Sequence, residues 1–553
     1  MVSNDEKINT KEIFLVGANL FCLLTKNKIN LLPLKKDLKS IINQQSTINM
    51  KSKDKVQQQY QTYVATMQKN ADINNAIGVL SWDKEVNMPE KGARFRSQQV
   101  ATLSGIAHEV FTDNSFGDLL AKLKEKRKHL DARQVKNILL TDKEYQRSKK
   151  LSKAFVIRKS KAISEAYHAW IKAREADDFE IYKKDLGNIV AICREEAELI
   201  GYEEHPYDAL LDIYEPDART KDLEVLFKDV RAQLVDFVKE IRNRPLIDNA
   251  FLFKRYKKQK QWDYGLKILG DMGYDFKAGR QDLSAHPFTI NFSPQDVRVT
   301  TRIDERDFSN MLWSCIHEGG HALYEQGLPP EEYGLPLGNA VSLGIHESQS
   351  RLWENNVGRS LAYWRPKYEA LQKLFPKRLG AIKLEQFYKG INNIEPNFIR
   401  TEADELHYHF HVLIRFEIEK NLMEGTLEVA DLEEVWNAKY KEYMNLEVPD
   451  AKRGILQDIH WSHGSIGYFP TYSLGSFYAA QFFQQATKDI PNLMTSIEAG
   501  DTQPLLDWLR TNIHQHGQYY NAKELCTKIT GEPLNFKYFM DYAKEKFGAI
   551  YGV

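Results

Sequence analysis

Residues 152–173, SKAFVIRKSKAISEAYHAWIKA, carry the pattern that decides the fold class of this chain. Their apolar side chains recur at three- and four-residue spacing, which is typical of a helix with one buried face. The segment belongs to a run of 69 residues, Asp118–Leu186, that contains neither glycine nor proline. Because such a run lacks the residues that break helices, we predict a mainly α protein. The apolar stripe consists of Phe155, Ala162, Ala166, Trp170 and Ala173.

Length and composition are those of an ordinary globular protein. Of 553 residues, 42% are hydrophobic, which is enough to bury a core without disulfide bonds. The 76 basic residues are balanced by 76 acidic ones, which argues against a nucleic-acid-binding protein. We therefore interpret the basic run Lys122–Lys128 as a solvated helix face. Four cysteines without CxxC spacing indicate no disulfide framework and favour a reducing, cytoplasmic location.

The N-terminal 49 residues are predicted to be an extension of unknown role. They contain a 12-residue apolar run, Ile13–Leu24, which is too short to span a membrane. Acidic residues near this run spoil the basic flank of a secretion signal, so export through the extension is only an alternative to a cytoplasmic location. Residues 50–553 are predicted to form a single mainly helical domain without membrane spans.

One segment breaks the helical pattern. His286–Phe292 alternates polar and apolar residues, Ser293–Asp296 has the composition of a turn, and Val297–Ile303 resumes a strand-like pattern. We predict a small β-hairpin or sheet here, immediately before the residues that are richest in chemistry.

His317-Glu-Gly-Gly-His321 is an HExxH sequence. Residues i and i+4 share a helix face, so His317 and His321 can offer ring nitrogens to one metal ion. Glu318 projects beside that face, where it can deprotonate a water molecule that the metal activates. Asp307 or Ser309 can cap the helix at its start.

A catalytic metal site of this kind needs a third protein ligand. Glu347 lies 30 residues after His317, beyond a loop that contains prolines and glycines and lets a second helix fold back. His346 and Glu354 are rival ligands, and sequence spacing does not choose between the three. Without a metal, Glu347 would form an i,i+4 ion pair with Arg351.

Six motifs in this order resemble those of the M32 metallocarboxypeptidases, the carboxypeptidase Taq family. The resemblance extends from about Tyr60 to the C-terminus. The motifs are HPF at His286–Phe288, DxRxT at Asp296–Thr300, HExxH at His317–His321, HESQ at His346–Gln349, IRxxAD at Ile399–Asp404 and GxxQDxHW at Gly454–Trp461.

The resemblance implies a mainly helical peptidase with a deep substrate groove, a homodimeric assembly and a cytosolic location. By motif, the metal ligands would be His317, His321 and Glu347, and Glu318 would be the general base. We expect one divalent ion per chain, Zn²⁺ first and Co²⁺ as the alternative, because imidazole and carboxylate ligands suit both.

Peptide hydrolysis develops an oxyanion that needs a hydrogen-bond donor besides the metal. Related helical peptidases use a histidine and a tyrosine, which makes His460 and Tyr472 the candidates, with Tyr468 as the rival tyrosine.

A carboxypeptidase must also bind the free carboxylate of its substrate, and the planar fork of an arginine does so with two bonds. Arg400 is the candidate, and its structural alternative is an ion pair with Asp404. The motifs add His286, Arg298 and Asp458 as further candidates for substrate binding, with Arg298 the first substitute for Arg400.

We therefore predict a metal-dependent carboxypeptidase that acts on peptides with a free C-terminus. An oligopeptidase that cuts internally is the first alternative, because the same architecture serves both. A non-catalytic peptide-binding protein is the second, although an intact Glu318 argues against it.

Overall fold

The computed structural model describes residues 32–553, with side chains from residue 53 onward. It confirms a mainly helical fold with a small sheet. The apolar run Ile13–Leu24 lies outside the described residues, whereas the later part of the predicted extension begins the first helix. Within the described part of the chain, every helix is too short or too polar to cross a membrane.

From Leu32 to Thr301 the chain forms a series of helices followed by three short strands. The helices are α1 (Leu32–Val86), α2 (Ala93–Thr112), α3 (Asn114–Glu125), α4 (Ala132–Lys150), α5 (Lys153–Ala176), α6 (Glu180–Ile200), α7 (Pro206–Leu211), α8 (Thr220–Arg242) and α9 (Lys258–Met272). The strands are β1 (Gly279–Leu283), β2 (Thr289–Ser293) and β3 (Asp296–Thr301).

The second half is helical to its end. Its helices are α10 (Phe308–Gln326), α11 (Leu343–Arg351), a π-helical turn (Leu352–Gly358), α12 (Leu361–Trp364), α13 (Tyr368–Leu374), α14 (Pro376–Leu379), α15 (Leu384–Gly390), α16 (His407–Glu424), α17 (Leu432–Met444), α18 (Pro470–Asp489), α19 (Leu493–Glu498), α20 (Gln503–Asn512), α21 (Ala522–Thr530) and α22 (Lys537–Tyr551).

The run without glycine or proline is divided among α3, α4, α5 and α6. The break after α5 falls at Asp177, whose φ of 58° places it in the left-handed region that ends a helix. Asp131 starts α4 with a capping box shared with Gln134. Helix ends here are therefore set by polar capping residues, which a search for glycine and proline does not detect.

The predicted hairpin is present and belongs to a three-stranded sheet of order β1-β3-β2. β2 pairs antiparallel with β3, with Ile290 opposite Arg298. The sequence analysis missed β1, which pairs parallel with β3. The sheet packs against α10 because alternate residues of β3, Val297 and Val299, are buried there.

Buried apolar side chains form two clusters among the described residues. The larger extends from Phe155 in α5 to Ile550 in α22, and the smaller joins α1, α3 and α4 around Tyr63 and Leu120. The division into a single domain over residues 50–553 stays a prediction.

Three helices approach one another closely enough to exclude side chains, and this contact positions the site. A Cβ on Gly320 of α10 would lie 2.7 Å from the Gln349 carbonyl oxygen of α11. A Cβ on Gly475 of α18 would lie 2.4 Å from Cγ of Glu347. Glycine at these two positions lets α10 and α18 pack directly against α11.

Candidate metal centre

The HExxH sequence lies in the middle of α10, as predicted. Asp307 caps the helix, since its side chain accepts a hydrogen bond from the Ser309 backbone N–H at 3.0 Å. The two histidine rings are 4.9 Å apart and nearly perpendicular, so both reach the same side of the helix. The opposite side of α10, including Met311, Leu312 and Leu323, is fully buried and fixes the helix in the core.

Glu347 of α11 faces both histidines. One of its oxygens, Oε2, is 3.4 Å from His321 Nε2 and 3.7 Å from His317 Nε2. Ligand atoms of these three residues all lie within 4.8 Å of one another, so among the described residues they form a cluster that could hold a metal ion. Two imidazoles and one carboxylate are a donor set that catalytic zinc sites use.

Burial and nearby charges keep His321 and Glu347 in the forms that bind a cation. Burial lowers the pKa of His321 to about 3, so its imidazole is neutral and carries a lone pair. Burial alone would raise the pKa of Glu347, but Arg351 and the two imidazoles hold it well below its usual range. Arg351 Nε donates to Glu347 Oε1 at 2.7 Å, which leaves Oε2 turned toward the histidines.

Glu354 lies behind the cluster. Its carboxylate is 2.9 Å from His317 Nδ1, so a proton on that nitrogen leaves Nε2 free to bind metal. Arg351 and Arg359 donate to the same carboxylate at 3.3 and 3.0 Å. Glu354 belongs to the π-helical turn, and such local widening of a helix is common at functional sites.

The two rival candidates for the third ligand, His346 and Glu354, make other contacts. His346 Nε2 pairs with Glu325 at 2.7 Å, and the His346 ring stacks on His321 with centroids 4.4 Å apart. Glu354 contacts His317 on the side away from Glu347. The geometry thus favours Glu347 as the third member of the cluster.

Glu318 is buried beside the cluster and is held by the sheet. Thr289 of β2 donates its hydroxyl to Glu318 Oε2 at 2.7 Å. Burial raises the pKa of Glu318, while His317 and the Thr289 hydroxyl lower it. A carboxylate with a raised pKa is better suited to accept and return a proton than a fully solvated one.

His460 and Tyr472 meet near this centre. His460 Nε2 is 3.3 Å from the Tyr472 hydroxyl, and burial lowers the pKa of His460 to about 3, which keeps its ring neutral. The Tyr468 ring packs against both residues, with centroids 5.3 and 5.2 Å away. Among the described hydrogen bonds, His460 contacts the hydroxyl of Tyr472 and not that of Tyr468, which favours Tyr472.

Arg400 is buried and pairs with Asp458 rather than with Asp404. Its Nη2 donates to Asp458 Oδ1 at 2.8 Å, and its Nη1 donates to the Tyr408 hydroxyl at 3.3 Å. The predicted alternative partner, Asp404, instead accepts from His407 Nδ1 at 2.6 Å. That expectation is wrong because the i+4 rule assumes a helix, and Arg400 lies in a 3₁₀ turn.

Asp458 is shared by two arginines. Arg415 Nε donates to Asp458 Oδ2 at 2.8 Å, and the same oxygen lies 3.3 Å from Arg400 Nε. Both guanidinium groups are buried, so the three side chains together carry an excess positive charge.

The remaining candidates lie apart from these contacts. Arg298 donates twice to Asp296, at 2.9 and 2.8 Å, and its guanidinium lies over the Trp82 ring at 4.5 Å. His286 is exposed in the loop between β1 and β2. Among the described hydrogen bonds, its side chain makes none with the cluster.

Four residues were not identified from the sequence as parts of the site. They are Thr289, Arg415, Glu419 and, as the residue that orients Glu347, Arg351. Thr289 directly follows the HPF motif, and Arg351 directly follows HESQS, so motif proximity was an available signal. Arg415 and Glu419 carry no such signal. They are charged residues on α16 that become recognisable only because the structure buries them completely.

A mainly helical body that brings HExxH and a downstream glutamate to one point defines a metal-dependent peptidase by its fold and site. Comparison with known proteins agrees. A sequence model of the carboxypeptidase Taq (M32) metallopeptidases matches residues 62–547. Thermostable carboxypeptidase 1 of Thermus thermophilus is 38% identical over 508 residues, which is 89% of this chain and 99% of that protein.

Solved structures give the same result. The M32 carboxypeptidase of Deinococcus radiodurans is 34% identical, with a TM-score of 0.88 over 90% of this chain and 100% of that one. A structure named CHT is 56% identical, with a TM-score of 0.87 over 89% of this chain and 99% of that one. The chain belongs to the carboxypeptidase Taq (M32) family of metallopeptidases, and it is therefore a metallocarboxypeptidase.

Proposed function

We propose that this enzyme releases C-terminal residues from peptides at a centre where His317, His321 and Glu347 hold one divalent ion. The observation that carries the proposal is the convergence of their ligand atoms within 4.8 Å beside the buried Glu318.

Zn²⁺ is the proposed ion and Co²⁺ the alternative, because two imidazoles and a carboxylate suit both. When bound, such an ion supplies Lewis-acid chemistry, which polarises the peptide carbonyl and acidifies water. Glu354 and Arg351 support the set by orienting His317 and Glu347.

Glu318 is the proposed general base. Held by Thr289, its carboxylate accepts the proton of the attacking water and returns it to the leaving amine. His460 and Tyr472 are the proposed donors to the developing oxyanion, with Tyr468 as the substitute for Tyr472. Their neutral, partly buried side chains donate hydrogen bonds with less reorganisation than a fully solvated donor needs.

Arg400 is the proposed binder of the substrate's terminal carboxylate. Because one Asp458 serves two buried guanidinium groups, an incoming anion would balance the excess charge that Arg400 and Arg415 leave. Asp458 then acts by holding Arg400 in place rather than by touching substrate. We propose that Arg298 of β3 and His286 of the loop between β1 and β2 contribute less to substrate binding than Arg400 does.

Matched peptides ending in a free acid or an amide test the proposal, each incubated with and without a chelator and read by mass spectrometry. We expect single residues to leave the acid peptide from its C-terminus, and the chelator to stop this. Cleavage of both peptides at an internal bond would support the oligopeptidase alternative. Peptide binding without cleavage would support the non-catalytic one.

We also propose a cytoplasmic homodimer, on the basis of the cysteine pattern and the family resemblance. Light scattering of the purified full chain, which reports its mass in solution, tests the assembly.

A further inference from the structure

A buried carboxylate outside the metal centre contacts the segment that carries His460 and Tyr468. Glu419 lies in the middle of α16 with no exposed surface. It accepts three hydrogen bonds, from Trp461 Nε1 at 2.8 Å, the Gly467 backbone N–H at 2.9 Å and the Tyr207 hydroxyl at 2.7 Å.

Two of these donors are direct neighbours of proposed site residues. Trp461 follows His460, and Gly467 precedes Tyr468. One carboxylate therefore binds both ends of residues 460–468, which we name the His460–Tyr468 segment. Tyr207 connects the same carboxylate to α7.

The second attachment point has little freedom to change. Gly467 has a φ of 95°, in the region that favours glycine, and a Cβ there would lie 3.0 Å from the Leu210 carbonyl carbon of α7. The segment thus passes close to α7 at Gly467, with the Gly467 N–H directed at Glu419 of α16.

We infer that Glu419 is a positioning residue for the reaction, because its carboxylate fixes the His460–Tyr468 segment and thereby aims His460. The inference rests on the proposed function. Burying a carboxylate costs free energy, and burial raises the pKa of Glu419 to about 7 although its three donors and Arg415 lower it. A well-packed apolar residue at this position would stabilise the core better. The three hydrogen bonds that Glu419 accepts therefore explain why a carboxylate is present.

Glutamine cannot reproduce this arrangement, although it has the same shape. Oε2 accepts from Tyr207 and Gly467, while Oε1 accepts from Trp461. An amide has one oxygen, so its NH₂ group must face either the Trp461 N–H or the Gly467 N–H. Either orientation sets a donor against a donor and displaces one end of the segment.

Glu419→Gln in the metal-loaded full chain is therefore the test. We expect kcat to fall about 10- to 100-fold, the scale of an ångström of misplacement, with KM and metal content unchanged. Trp461→Phe in the same chain should restore part of that kcat, because the amide NH₂ can then face position 461 without an opposing N–H and leave its oxygen to Gly467 and Tyr207. Should Glu419→Gln fail to fold, Tyr207→Phe removes one donor more gently and should lower kcat in the same way but by less.

Glu332→Gln is the matched control. Glu332 is also a buried carboxylate, bonded to Arg133 and Asn137 in the smaller core cluster. The Glu332→Gln substitution should lower the melting temperature without changing kcat. If Glu419→Gln behaves like this control, or if Trp461→Phe gives no recovery, the inference is overturned. Wild-type protein that releases no C-terminal residue would instead overturn the proposed function, so the two failures are distinguishable.

Discussion

At the residue scale, the buried carboxylates of Glu318 and Glu347 have opposite surroundings. Burial and few compensating partners raise the pKa of Glu318, whereas Arg351 and two imidazoles lower that of Glu347. Environments that separate the pKa values of two neighbouring acids commonly assign them different tasks. We assign proton transfer to Glu318 and cation binding to Glu347.

Glu318→Gln should keep the metal and lose nearly all turnover. Glutamine preserves shape and can still bind a water molecule, but it cannot accept a proton. General-base catalysis is worth about 10²–10⁴ in rate, so kcat should fall at least that far. Peptide assays paired with metal analysis check this. Near-normal turnover by a metal-loaded variant would refute the role of Glu318 as the base.

Glu347→Ala should sharply lower metal affinity while the protein stays folded. The body of the protein has a large apolar core, so it does not depend on a single ion. Metal content after dialysis measures the first effect, and circular dichroism the second. If about one ion per chain remains, Glu347 is not the third ligand, and Glu354 becomes the residue to replace next.

At the element scale, the centre depends on how closely α11 approaches its two neighbours. The HExxH motif lies on α10 and Glu347, the third proposed ligand, lies on α11, so an error in the separation of the two helices becomes an error in the donor set. Gly320 and Gly475 permit this spacing because no side chain intervenes. Glycine in a helix costs about 0.5–1 kcal/mol relative to alanine, and close packing offsets that cost here.

Gly475→Ala should weaken metal binding about tenfold or more and lower the melting temperature. The added methyl would lie 2.4 Å from Cγ of Glu347, so either that side chain or α18 must move. Disturbing metal ligands or the residues that hold them typically lowers metal affinity about 10- to 100-fold.

Gly187→Ala on α6 is the matched control, because its added Cβ would meet nothing within 4 Å. It should leave metal affinity unchanged and stabilise the fold by up to about 1 kcal/mol. Competition with a metal-binding dye compares the two variants. Equal affinities would show that the close contact at Gly475 does not position Glu347.

At the scale of the whole molecule, residues far apart in the chain meet at the proposed binding site for the substrate's terminal carboxylate. Arg400 follows α15, Arg415 lies on α16, and Asp458 precedes the 3₁₀ turn that begins at His460. Tyr408 connects this group to the metal centre, because it accepts from Arg400 and its ring lies 4.3 Å from the Arg351 guanidinium. The distance from the scissile bond to the end of the substrate would then depend on this contact between Tyr408 of α16 and Arg351 of α11.

Arg400→Lys should lose efficiency on free-acid peptides by about 2–4 kcal/mol, the range for breaking a buried charge pair. Lysine keeps the charge but lacks the planar fork. Activity on amidated peptides should hardly change, since they carry no carboxylate to lose. The measurement is the ratio of kcat/KM on matched acid and amide peptides. If that ratio is unchanged while overall activity falls, Arg400 serves only Asp458, and Arg298 is the next candidate.

The sequence by itself determined the features that depend on local spacing. A period of three to four predicted the helices, alternation predicted the β2–β3 hairpin, and the i,i+4 rule placed His317 and His321 on one face. Six ordered motifs identified the family, which the comparisons confirmed. Each of these signals lies within a few neighbouring residues, so no knowledge of the fold was needed.

Only the tertiary structure decided which distant side chains meet. Spacing could not choose between His346, Glu347 and Glu354, because that choice depends on how α11 and the π-helical turn pack against α10. The partner of Arg400 proved to be Asp458, 58 residues away, and not its sequence neighbour Asp404. Glu419 belongs to none of the sequence motifs, and only the fold places three hydrogen-bond donors around it. Long-range contacts of this kind depend on the path of the entire chain, which no local pattern encodes.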